Sequence, residues 1–195
     1  LLVLGADHGH HRVGAQVAML APCPVAVLPA GHHPGASPGP VVAGVDGSES
    51  AALALRYALA TAERWHTRAV AVHAWQPVTL GVHRLRQLPD SFDHLAETHG
   101  RILSRAVQRW QPAFPGTPVA EKLAIGAAHR VLLDEAARAR LLVLGSHGWG
   151  SLHQATLGSV GVQILRDPPC PVVVVHPHRH AAEPVPAMQA AGDRR

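Results

Sequence analysis

Between residues 41 and 177 the apolar positions of this chain keep two rhythms in turn. Short β-branched runs alternate with longer alanine- and leucine-rich stretches. Residues 41–45 form an apolar run that stops at Asp46-Gly47-Ser48, which suits a strand followed by a turn and a helix cap. Residues 48–64 contain neither Gly nor Pro and predict a helix. Residues 68–75 (RAVAVHAW) predict a strand that ends before Pro77. From Asp90 to Trp110, the residues Phe92, Leu95, His99, Ile102, Ala106 and Trp110 recur at spacings of three or four, so one helical face is expected to be buried. Residues 119–125 predict a strand. Gly126 turns the chain into a helix reaching about Arg138, with Val131, Leu132 and Ala136 inward. Residues 141–144 predict a buried strand, 159–165 a helix and 172–175 a closing strand. Five strands alternating with four helices predict an α/β fold, a doubly wound, open, parallel five-stranded sheet of the Rossmann-like kind. Ligands of such sheets sit beyond the carboxyl ends of the strands, where the winding reverses. That places the candidate chemistry after the first strand, at Val45 and Asp46, and after the fourth, from Gly145 onward.

An internal repeat sets the organisation. Leu1-Leu2-Val3-Leu4-Gly5 returns as Leu141-Leu142-Val143-Leu144-Gly145, and Val13-Gly14-Ala15-Gln16 matches Val160-Gly161-Val162-Gln163. Both copies then run through Pro-Cys-Pro-Val, with Cys23 in one and Cys170 in the other. The first copy is 7 residues shorter between its glycine and its valine. Residues 1–29 are therefore expected to be the C-terminal remnant of a first domain, 30–40 a Gly/Pro-rich linker, 41–177 a complete domain and 178–195 a flexible tail. The opening LLVLGADHGHH has no secretory layout and reads as the interior of a domain.

After the fourth strand comes Gly145-Ser146-His147-Gly148-Trp149-Gly150, and later Gly158-Ser159-Val160. Glycines without a Cβ let the backbone turn closely around a ligand. A helix opening at Gly158-Ser159 offers N–H groups to an anion, with the Ser159 hydroxyl as a further donor. This is neither a P-loop nor the dinucleotide fingerprint, which would follow the first strand.

The spacing Gly145-x2-Gly148-x9-Gly158-Ser159 resembles the ATP-binding signature of the universal stress protein family. Val45-Asp46-Gly47-Ser48 and Cys170-Pro171-Val172-Val173-Val174-Val175 resemble the family's opening and closing strands, so the likeness spans about 41–177. It implies the adenine nucleotide alpha hydrolase-like form of the fold and ATP as ligand, with or without Mg²⁺. Asp46 is then expected near adenine and ribose, beside Val45, and Ala74 at a backbone contact to adenine. Gly145, His147 and Gly148 would follow ribose and phosphates, and Gly158, Ser159 and Val160 the phosphate end. Trp149 departs from the family, which often has a basic or small residue there, and takes away a candidate phosphate cation. In the shorter first copy, His11-Arg12 stands where Gly158-Ser159 would be, and no nucleotide site is expected.

Composition changes this picture little. The net charge of +4 comes from scattered arginines and a single lysine, Lys122, with no basic block, so nucleic acid is not an expected partner. No apolar run approaches the roughly 20 residues of a membrane span. The 2 cysteines sit at equivalent repeat positions, which favours duplication over a crosslink and a reducing, cytoplasmic setting. The 16 histidines cluster at His8/His10/His11, His32/His33 and His176/His178/His180 without Cys or carboxylate partners at metal-site spacing, so no metal site is expected. His73 and His99 are expected to be packed. No nucleophile–base pair or carboxylate pair marks catalysis, which leaves at most a weak ATPase. The reading is an ATP-binding stress-response or signalling module. The alternatives are an adenine-nucleotide hydrolase or an interaction module without ligand. The last strand, 172–175, offers an exposed edge that strand 24–28 is expected to cover, as paired units of the resembled family do, with a homodimer through the same edge as the alternative; a protein partner is also expected.

Overall fold

The computed structural model describes residues 1–5, 11–32, 38–76, 89–147 and 158–177. In chain order its elements are β1 (Leu2–Gly5), α1 (His11–Leu20), β2 (Val25–Leu28), β3 (Val41–Gly44), α2 (Glu49–Arg64) and β4 (Ala69–Trp75). There follow α3 (Pro89–Trp110), a 3₁₀ turn (Gln111–Ala113), β5 (Val119–Ile125), α4 (Ala128–Ala136), β6 (Leu141–Gly145), α5 (Ser159–Ile164) and β7 (Val172–Val175).

The central strands are apolar at nearly every position because both faces of the sheet are covered. Val41, Ala43, Ala69, Ala71, Leu141, Val143, Val173 and Val175 face one way, into a core shared with Leu55 and Leu59 of α2 and Leu103 and Val107 of α3. Val42, Val70, Val72, Leu142, Leu144, Val172 and Val174 face the other way, against Leu132 and Ala136 of α4 and Ile164 of α5. Side chains alternate across a strand with a period of two, so a continuous apolar run feeds both layers at once. Fully buried leucines such as Leu55, Leu59 and Leu142 each contribute about 1.5–3 kcal/mol relative to exposure.

The strands lie in the order β1-β2-β7-β6-β3-β4-β5. The five strands expected of residues 41–177 are all parallel to one another, with helices on both faces. The sheet nevertheless has seven strands rather than five, because residues 1–29 extend it. β2 pairs antiparallel with β7 through Val25↔Val174, Ala26↔Val173 and Val27↔Val172. The β1·β2 register, Leu2↔Val25 and Val3↔Ala26, reproduces the β6·β7 register, Leu142↔Val172 and Val143↔Val173, in the equivalent residues of the repeat. A local two-fold relation therefore runs through the Ala26/Val173 pair. His176 adds a tie to α1, its Nε2 lying 2.7 Å from the Ala18 carbonyl. The β7 edge is thus covered within the chain by the strand expected at 24–28, and a homodimer through that edge would first have to displace β2. The open edge at this end is β1, where Leu2 and Val3 are 39% and 52% exposed.

The buried face of α3 also differs from the periodicity. Leu103 and Val107 are its deeply buried residues, whereas Phe92 is 42% exposed and lies beside Trp75, ring centroids 5.5 Å apart. The seam of the helix is turned toward Leu103 and Val107 because α2 and the sheet meet it there.

Candidate functional site

Where β3 and β6 end, side by side, the chain leaves the sheet in opposite directions and opens a cleft of about 500 Å³. Gly44, Val45 and Asp46 form one wall, Val72 and Ala74 of β4 the floor beside it, and Leu144, Gly145 and His147 the other wall. Ala128 and Leu132 of α4 and Gly158 to Gly161 at the start of α5 close it. This is the switch point that the alternation of strands and helices placed it at.

Of the residues singled out in the sequence, Val45, Asp46, Ala74, Gly145, His147, Gly158, Ser159 and Val160 all line this cleft. Gly148 and Trp149 lie outside the described residues. Val45 is buried, its N–H donating to the Val72 carbonyl at 2.8 Å and its carbonyl 2.6 Å from His73 Nδ1. Asp46 Oδ1 accepts the Ser48 N–H at 2.9 Å, and Gly47, at φ 87°, makes the turn between them. The N-cap of α2 is Ser48, whose Oγ accepts the Ala51 N–H at 3.2 Å, so Asp46 shapes the approach to the helix rather than capping it.

Gly145 was singled out because a bare backbone suits a ligand, yet its neighbours give a second reason. A Cβ built there would stand 2.6 Å from Ser50 Oγ, 2.7 Å from the Ser50 carbonyl carbon and 2.8 Å from the Ala51 nitrogen. The first turn of α2 rests directly on the end of β6, and only glycine leaves room.

His147 is held by the same turn. Its carbonyl accepts the hydroxyls of Ser50, in a short contact, and Ser48, at 3.3 Å. Its Nδ1 lies 2.7 Å from Ser146 Oγ. The Nε2 atom is buried and has no hydrogen-bond partner among the described residues. A buried ring nitrogen without a partner costs about 1–3 kcal/mol of lost hydration. Across from it, the Gly158 N–H donates to the Ser146 carbonyl at 3.0 Å, tying the two glycine-bearing ends together. The first N–H groups of α5 have no acceptor within the helix, while Ser159 is exposed and Val160 half-buried.

Sequence reasoning missed Ser50 and Ser146. Both are nearly fully buried polar residues that fix His147. Nothing in their spacing marks them, since their role depends on the end of β6 meeting the start of α2. It also missed Ala128 and Leu132 as a wall, although their i,i+4 spacing after Gly126 is a usable signal of a helix face turned to one side.

The universal stress protein family pattern matches residues 39–176, from just before β3 to just past β7. The chain belongs to the universal stress protein family. It is 34% identical over 163 residues to universal stress protein Rv1996 of Mycobacterium tuberculosis, covering 83% of this chain and 51% of that protein. It thus spans about half the length of the curated relatives it matches. Among solved structures, the universal stress protein UspA from Lactobacillus plantarum superposes with a TM-score of 0.62 at 21% identity, over 72% of this chain and 99% of the other, and so shares the fold. A universal stress protein solved in complex with cAMP superposes with a TM-score of 0.52 at 26% identity, over 71% of this chain and 97% of its own.

Proposed function

We propose that this universal stress protein binds an adenine nucleotide, ATP with Mg²⁺ as its counter-ion, and acts as a nucleotide-responsive stress or signalling module. The observation that carries the proposal is the cleft itself. Eight residues chosen from the sequence line one cavity of about 500 Å³, and one of them, His147, has a buried Nε2 with no partner among the described residues. Its volume falls within the roughly 300–1,000 Å³ of small-molecule sites. The cAMP bound by one neighbour is an adenine nucleotide, which supports the same ligand class here. In this reading Val45 and Ala74 flank the adenine, Asp46 the ribose, and the N–H groups from Gly158 to Val160 the phosphates, with Gly145, His147 and Gly148 between. Mg²⁺ would supply charge neutralisation at the phosphates.

The same proposal assigns 1–29 to the end of a preceding unit and 41–177 to a complete one, in a tandem, cytoplasmic protein. Support for that division comes from the shared register of β1·β2 and β6·β7.

Calorimetric titration of ATP into the full chain, with and without Mg²⁺, tests the reading. One-to-one saturable binding is expected, weakened about five-fold by His147→Leu through loss of one hydrogen bond. No saturable heat at millimolar ATP would overturn it. Phosphate release measured alongside separates a binding module from a hydrolase.

A further inference from the structure

The described residues that line the cleft bring no lysine or arginine to it. Apart from Asp46, His147 and Ser159 they are Gly, Ala, Val or Leu. The stretch that joins its two glycine-bearing ends, residues 148–157, also contains neither Lys nor Arg. The described cations are committed or placed elsewhere. Arg130 falls between Ala128 and Leu132, which line the cleft, and a step of two residues carries it to the opposite side of α4, where it is exposed. Arg105 and Arg109 line a separate groove beside Ser48, where Arg109 holds Glu49 through two hydrogen bonds of 2.7 and 2.9 Å. Lys122 pairs with Glu135. Arg140 lies over the Trp65 ring, 4.4 Å from its centroid, and its N–H meets the Pro40 carbonyl at the amino ends of β3 and β6.

Backbone donors are few as well. α5 has six residues, and the Gly158 N–H already donates to the Ser146 carbonyl, so its start offers at most the N–H groups of Ser159, Val160 and Gly161. That many donors suit the oxygens of one phosphate group. They do not replace the hydration of a triphosphate chain, whose burial without a paired cation is costly.

We propose that the cleft selects adenine nucleotides by low phosphate charge: it takes a singly charged nucleotide such as cAMP on its own, and a triphosphate only when a divalent cation travels with it. This rests on the nucleotide-binding reading above and deepens it, because Mg²⁺ becomes a condition of triphosphate binding. In a cleft with lysine or arginine at the phosphate end, each added phosphate gains a charge-assisted contact. Here each one adds charge that the cleft leaves uncompensated, so affinity runs in the reverse order.

The test is calorimetric titration of the full chain at about pH 8 with cAMP, AMP, ADP and ATP, each in EDTA and again with Mg²⁺. In EDTA the affinity is expected to fall along AMP, ADP and ATP, with free ATP about ten-fold weaker than cAMP. Mg²⁺ should recover about ten-fold for ATP and change cAMP by less than about two-fold. Ser159→Lys places an ammonium at the exposed start of α5. It should strengthen free ATP about ten-fold and reverse the order, whereas Ser159→Gln, a long side chain without charge, should keep the wild-type order. Affinity that rises from AMP to ATP in EDTA would overturn the charge selection and leave the nucleotide reading standing. Arg84 or Arg86, which lie outside the described residues, would produce such a rise if either served the phosphates. Equal gains from Ser159→Lys and Ser159→Gln would overturn the selection too. If none of the four binds at millimolar concentration, the nucleotide reading falls and the selection falls with it.

Discussion

Gly145→Ala should destabilise the protein well beyond the usual cost of a methyl group. The new Cβ would stand 2.7 and 2.8 Å from backbone atoms of Ser50 and Ala51, against ordinary contacts that begin near 3.4 Å. Either β6 or the first turn of α2 must therefore give way by about 0.7 Å, and neither is a side chain that can rotate aside. The third contact, 2.6 Å to Ser50 Oγ, is held in place because that hydroxyl donates to the His147 carbonyl. Overpacking of this kind costs about 1–3 kcal/mol, and backbone contacts place it in the upper part, about 2–3 kcal/mol. For a chain of this size that corresponds to a fall in Tm of about 4–12 °C. Gly44→Ala is the internal control. Its Cβ would meet only methyl groups, Leu144 Cδ2 at 3.2 Å and Leu132 Cδ1 at 3.3 Å, which are flexible ends of side chains. Its cost should stay within about 1 kcal/mol, partly offset by the lower entropy of the unfolded chain. Thermal unfolding followed by circular dichroism reads both. A Gly145→Ala protein that melts within about 1 °C of wild type would refute the close approach and leave the glycine to the ligand alone.

Ser48→Ala removes the cap that accepts the Ala51 N–H and a weaker hold on the His147 carbonyl, and should cost about 1 kcal/mol in denaturant unfolding. Burial pushes the Cys170 thiol up to about 12, so it should resist thiol reagents at pH 8 until the protein is unfolded, while the half-buried Cys23 reacts first; mass spectrometry of labelled peptides distinguishes them. His99 is held below its ordinary value of about 6.5 by burial and then by His73. Above that value it is neutral in folded and unfolded chains alike. As pH falls through it the unfolded chain takes the proton first, so stability declines below about pH 6.5 and levels off beneath the folded value. Wild type should therefore lose more Tm than His99→Asn between pH 7 and pH 5; equal losses would exclude His99 as the cause.

The strands and helices were legible because each signal is local. A β-branched run such as residues 172–175 is apolar on both faces and tells of burial on both. The repeat of Leu-Leu-Val-Leu-Gly and Pro-Cys-Pro-Val was likewise visible as identity. The cleft residues followed from one rule, that ligands sit at the carboxyl ends where winding reverses. The face of α3 was misjudged by part of a turn. Spacings of three and four define an apolar stripe but not which of its edges meets the neighbour, and α2 selected Leu103 and Val107.

By itself the sequence determined the alternation of elements, their two-faced burial and the loops that carry the glycines, because these depend on residues close together in the chain. The tertiary structure alone decided why Gly145 must lack a side chain, how Ser50 and Ser146 hold His147 and how His73 meets His99. Each of these depends on two segments meeting in space, 97 residues apart for Ser50 and His147, 26 for His73 and His99. Such contacts are set by how helices settle on the sheet, and they leave no periodic trace in the sequence that makes them.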